Sequence, residues 1–164
     1  MDYFKSFSKF LMESMDNMNY KEGVYISLTP TKETNDKIRE YQDEHLKDMN
    51  INKEIHCTLI YSKKPHQGDI KTSDNTYKCK FNGFSLFGSE KDTLVIELES
   101  EELQERNKEL VDKYGFISDF DEYKSHCTLS YECKDIDIEK LPDIEFDMYF
   151  ENETVDNLDA DWSS

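Results

Sequence analysis

His56-Cys57-Thr58-Leu59 and His126-Cys127-Thr128-Leu129 are the same four residues written twice, 70 positions apart. Tyr61 and Tyr131 keep that offset, as do Lys64 and Lys134. Upstream, Ile26 and Leu28 in residues 24–28 match Ile96 and Leu98 in residues 94–98 at the same spacing. Each upstream segment reads as a short strand that leads into a helical pattern. Two occurrences are too few for a solenoid, so the repeat points to a duplicated half of one domain.

Working outward, the periodicity predicts a helix over 31–49, with Pro30 near its first turn and Ile38, Tyr41, His45 and Met49 on its buried stripe. The first motif strand spans 54–61 and is followed by a loop to Asp69. Residues 76–87 and 92–99 read as strands joined near Gly88-Ser89-Glu90. Ser100 is placed to cap a helix over 101–114, with Leu103, Leu110, Val111 and Tyr114 on one face. The second motif strand is expected over 123–131 and a last strand over 144–151. Three parts follow: an N-terminal helical extension at 1–22, a duplicated domain at 23–151, and an acidic tail or flap at 152–164. The class is α+β.

The chain has 164 residues, enough for one domain, with 36% hydrophobic and 13% aromatic residues. A mean hydropathy of -0.87 is low, but ten Phe and ten Tyr supply a core from few positions. No apolar run approaches the ~18–20 residues of a membrane span. Four cysteines without metal-ribbon spacing suggest reduced thiols and a cytosolic setting. The net charge is -17, and residues 135–164 hold eleven acids against one base, Lys140. Such a balance disfavours long nucleic acid, whose binding rests on Lys and Arg.

In a strand, neighbouring side chains alternate faces. Ile55, Cys57, Leu59 and Tyr61 therefore share one face, and His56, Thr58 and Ile60 the other; Ser125, Cys127, Leu129 and Tyr131 oppose His126, Thr128 and Ser130. Each motif sets an imidazole beside a hydroxyl. A Cys2His2 zinc site is disfavoured, because adjacent His and Cys point apart. Two core histidines copied by duplication would also satisfy the pattern. The chemical reading is stronger: imidazoles ionise near neutral pH, so a facing pair can serve as base and acid at a phosphodiester. The hydroxyls of Thr58 and Thr128 would hold non-bridging oxygens.

Two H-x-T-hydrophobic motifs half a domain apart resemble the two-histidine (2H) phosphoesterase superfamily. The likeness covers residues 23–150. More narrowly, both motifs reading His-Cys-Thr-Leu, with the strand and turn at 24–30, are similar to phage anti-CBASS phosphodiesterases, which destroy cyclic di- and trinucleotide alarm signals. The resemblance implies a bilobal fold with a pseudo-twofold axis, a central cleft and no cofactor. It also implies a bacterial host cytosol as the setting, a cyclic di- or trinucleotide as partner, and room for a homo-oligomer. His56, Thr58, His126 and Thr128 are then the catalytic residues. A small cyclic nucleotide presents its bases, so an acidic protein can bind it by stacking and base-edge bonds. Candidates for those contacts are Tyr25, Phe87, Glu153 and Trp162, with Lys63, Lys64 or Lys124 near the phosphates. The rival readings are an RNA-processing 2H phosphodiesterase acting on 2′,3′-cyclic ends or RNA tails, a nucleotide sponge, and an acidic DNA mimic.

Overall fold

The computed structural model describes residues 23–63, 69–88, 90–117, 122–133 and 135–158. The expected extension at 1–22, Lys64, Lys134 and residues 159–164 of the expected tail, Trp162 among them, lie outside the described residues.

Among the described residues, seven strands and two helices are present: β1 (Gly23–Pro30), α1 (Lys32–His45), β2 (Asn50–Ile51), β3 (Cys57–Ser62), β4 (Tyr77–Phe87), β5 (Thr93–Glu99), α2 (Glu101–Tyr114), β6 (His126–Glu132) and β7 (Met148–Leu158). A short 3-10 turn, Ile138–Lys140, precedes β7. The strands form one sheet in the order β2-β6-β3-β1-β7-β4-β5, and β5 pairs back onto β6. Six strands therefore close a ring of antiparallel pairings, with β2 added beside β6. The α+β class is present. The strands expected in two lobes belong to one continuous sheet, whose two motif strands, β3 and β6, are neighbours.

Local chemistry explains both helices. Thr31 caps α1 by accepting a hydrogen bond from the Thr34 amide at 3.3 Å. Thr34, Ile38, Tyr41 and Gln42 are buried, at the spacing of one helical face. Ser100 caps α2 through the Leu103 amide and donates to the Lys78 carbonyl at 2.7 Å, tying the helix start to β4. Gly115 ends α2 in the left-handed conformation, φ 70°, which a side chain would disfavour. Leu103, Leu110 and Tyr114 face the core, where Ile26, Leu28, Ile38, Leu59, Ile96, Leu129 and Phe150 are almost fully enclosed.

Four expectations differ from the structure. The first helix stops at His45, short of the expected 49, while Pro30 sits at the end of β1 just before the Thr31 cap. His45 is a quarter exposed, its ring 4.5 Å from that of Tyr41. The upstream strands repeat with a different step from the motifs: Leu28 pairs with Cys57 and Ile96 with Cys127, an offset of 68. The last strand starts at Met148 and runs through Leu158, so residues 152–158 belong to the sheet and not to a flap. That stretch is too polar to read as a strand, but backbone pairing to β1 holds it. A register shift opposite Ser27 and Thr29, with Asn152 at φ 57°, turns Glu153 inward. There its carboxylate meets Arg106 in a two-pronged ion pair, at 2.9 and 2.7 Å.

Candidate functional site

Antiparallel pairing of Cys57 with Cys127 is the point where β3 and β6 meet. Carried one residue either way, this register sets His56 opposite Thr128 and Thr58 opposite His126. Both cysteines are buried in the core, whereas all four His and Thr side chains are partly exposed on the opposite face. The two couples thus share one surface of the sheet, in head-to-tail order across the two strands.

Each motif strand carries a β-bulge at the same place. Thr58 and Ile60 pair with Ser27 and Ile26, leaving Leu59 unmatched; Thr128 and Ser130 pair with Val95 and Leu94, leaving Leu129 unmatched. The extra residue reverses the alternation. Ile60 and Ser130 are buried with the leucines, and Tyr61 is part-exposed with its ring 6.2 Å from that of Tyr25. Strict alternation had placed Tyr61 on the Cys57 face and Ile60 on the His56 face, and the bulge is the reason both differ.

Backbone carbonyls orient the imidazoles. His126 Nδ1 lies 3.1 Å from the Lys124 carbonyl oxygen. A carbonyl only accepts, so Nδ1 carries the proton in the neutral ring and Nε2 carries the lone pair. The Glu54 backbone, also two residues upstream, bonds to His56. Burial lowers the pKa of His56, opposed by the Glu54 charge and backbone. Burial likewise lowers that of His126, opposed by the Lys124 carbonyl and the charge of Glu97, its cross-strand partner. Both rings are therefore biased toward the neutral form. Burial raises the Cys57 thiol to about 11 and the Cys127 thiol well above its ordinary value, which removes both as nucleophiles.

Tyr25, a candidate from the sequence, is 5% exposed, with its hydroxyl 3.0 Å from Thr58 Oγ1 and its ring edge-on to His56 at 6.5 Å. Burial raises its phenol to about 12. Phe87 stands edge-on to His126, ring centres 5.0 Å apart. Glu153 is in a different place from the one a base-reading role needs: its side chain is fully enclosed, bonded to Arg106 and to the Ser73 amide. Lys124 contributes its carbonyl to His126.

Several supporting residues were not legible in the sequence. Tyr123 donates to the Thr58 carbonyl at 2.7 Å. Asn52 donates to the Thr128 carbonyl at 2.9 Å. Gln42 donates to the Leu129 carbonyl and Asn107 to the Leu59 carbonyl. Tyr123 lies three residues before His126, which is a local hint; the others come from distant elements. Two open hollows, about 460 and 640 Å³, lie around Met49. The larger is ringed by Asp48, Glu90, Asp92 and Glu132, a poor lining for an anionic ligand.

Among the described residues, no helix is long and apolar enough to cross a membrane. A family described as Anti-CBASS protein Acb1 matches residues 22–164. An Anti-CBASS protein Acb1 from Sphingomonas paeninsulae is 34% identical over 119 residues. The match covers 66% of this chain and 19% of that relative.

Proposed function

Because the chain belongs to the Anti-CBASS protein Acb1 family, we propose that it is a 2H-type phosphodiesterase. In this reading it opens 3′–5′ linkages in the cyclic di- or trinucleotides that alert bacterial hosts to phage. The observation that carries the proposal is the head-to-tail pairing of His56-Thr58 with His126-Thr128 across Cys57 and Cys127. The repeat relates the two halves by a pseudo-twofold axis between β3 and β6, with the substrate phosphate over that axis. The setting is the host cytosol.

One imidazole, in its neutral form, takes the proton of the ribose 2′-OH or of a water; the other, protonated, delivers a proton to the departing 5′ oxygen. Attack by the 2′-OH forms a 2′,3′-cyclic phosphate as the P–O5′ bond breaks, and a water then opens that ring. Thr58 and Thr128 donate to the non-bridging oxygens, where negative charge grows. Because two imidazoles manage both protons, the step needs no metal. Phe87 flanks His126 and offers an apolar face to a base.

The test is incubation with a mixed panel of cyclic di- and trinucleotides in EDTA, followed by mass spectrometry. Linear products one water heavier than the starting ring, or the linear cyclic-phosphate isomer, are expected. Ligand held by the protein and returned unaltered after denaturation would indicate a sponge, and cleavage confined to RNA ends would indicate an RNA-processing enzyme.

A further inference from the structure

The repeat makes the two His-Thr couples look alike, but the hydroxyls behind them are not. Thr154, Ser27, Thr58 and His126 lie in one row across β7, β1, β3 and β6: Ser27 pairs with both Thr154 and Thr58, and Thr58 faces His126. Thr154 Oγ1 is 3.4 Å from Ser27 Oγ, the Ser27 hydroxyl is near enough to that of Tyr25 to influence its ionisation, and the Tyr25 hydroxyl is 3.0 Å from Thr58 Oγ1. A line of four hydroxyls thus runs from β7 to the site. The offset of 68 between β1 and β5 puts Thr93 at the strand position equivalent to Tyr25, and the row beyond His126 ends on the Glu97 carboxylate. The second half does not repeat the phenol at that position.

We propose that Tyr25 is a positioning residue that donates to Thr58 Oγ1 and so turns the Thr58 hydroxyl proton outward, toward one non-bridging phosphate oxygen. A phenol is the better donor and an aliphatic hydroxyl oxygen the better acceptor, which sets the direction along the row. Aligned hydroxyls polarise one another, strengthening the last bond to the anion. The Tyr25 ring is buried, and burial keeps the phenol protonated. Thr58 is thereby the locked donor of the pair, and the two phosphate oxygens are held unequally. This inference rests on the phosphodiesterase reading.

Substrates with one phosphorothioate of defined stereochemistry test it. The wild-type protein is expected to cleave one diastereomer more slowly, because sulfur is a poor acceptor for the Thr58 hydroxyl. Y25F keeps the ring; it should lose about tenfold in kcat, the worth of one hydrogen bond, with KM held. It should also shrink the diastereomer ratio toward that of T58V. Y25F/T58V should be no slower than T58V alone. S27A, which breaks the row one link earlier, should give a smaller kcat loss and serves where Y25F folds poorly. Full kcat in Y25F, or additive losses in the double variant, would overturn the role. A KM loss that depends on the base would instead make Tyr25 a direct base contact. Absence of turnover by the wild-type protein defeats the phosphodiesterase reading itself, a result distinct from active wild-type protein with an indifferent Y25F.

Discussion

Leu59 and Leu129 occupy the same place in the two motif strands, each the unmatched residue of a bulge whose carbonyl is held by the helix of the opposite half. Asn107 of α2 donates to Leu59 at 2.8 Å, and Gln42 of α1 donates to Leu129 at 3.0 Å. Each bulge frees a backbone oxygen from the ladder, and a buried oxygen without a donor is costly. The crossed pattern ties each motif to the other half, so a shift of either His-Thr couple pulls on the helix of the opposite half. Gln42 is 1% exposed and also donates to the Asn52 carbonyl at 2.8 Å. Gln42→Leu is expected to cost about 1 kcal/mol by stranding the Asn52 carbonyl, since the Leu129 carbonyl keeps the Asn52 amide at 2.8 Å, and Asn107→Leu about 1 kcal/mol by stranding that of Leu59. Urea midpoints of the two variants check both values.

Each histidine should be indispensable for turnover and dispensable for folding. His56→Ala and His126→Ala should each lower kcat by about 10²–10⁴, the usual worth of positioned acid–base catalysis. Both rings are part-exposed, so far-UV circular dichroism should be unchanged. The double variant should be little slower than either single one, since base and acid act in one step. A single variant with wild-type kcat would refute the paired roles.

Burial lowers both imidazole pKa values, which fixes the direction of the pH profile. In the free protein the base is deprotonated, and the acid loses its proton, below the ordinary value of about 6.5. The kcat/KM optimum should therefore lie on the acid side of neutrality. A bound phosphate favours charged imidazole, so the kcat profile should sit at higher pH. Stability follows the same sign: below about 6.5 the unfolded chain binds protons that the folded rings resist, so the contribution is lost as pH falls through that window. Urea midpoints at pH 5.5 and 7.5 should converge for His56→Ala/His126→Ala relative to the wild-type protein.

The repeat made the α+β class, the principal strands, both helices and the shared face of the two couples legible, because they rest on local patterns of period two or 3.6. What stayed hidden depends on pairing partners. The bulges that turn Ile60 and Ser130 inward have no local signature, since bulging needs the facing strand to set the count. The 68-residue step of β1 and β5 was masked by Ile26 and Leu28 matching Ile96 and Leu98 by type. Residues 152–158 lack strand composition and are strand only because β1 supplies their bonds.

Glu153 illustrates how a charged residue in such a stretch serves the fold. Its carboxylate is fully enclosed, and the partner Arg106 guanidinium is 11% exposed and also bonds to Glu109 and the Lys71 carbonyl. With Ser73 donating its amide to Glu153, the cluster fastens the 71–73 segment between α2 and β7. Removing one member leaves a poorly hydrated charge, whereas removing both does not. Glu153→Ala is therefore expected to destabilise the protein by about 3–5 kcal/mol, a large part of a typical domain's stability. Arg106→Met/Glu153→Met should recover much of that loss, because two apolar side chains of similar length fill the space without an orphaned charge. Thermal or urea unfolding of the three proteins decides the order. Glu153→Gln, assayed well below its melting temperature, separates this role from recognition of a base: a structural carboxylate leaves the ranking of cyclic nucleotides by kcat/KM unchanged. A selective fall for substrates carrying an amino-bearing base would show that Glu153 reaches the ligand instead.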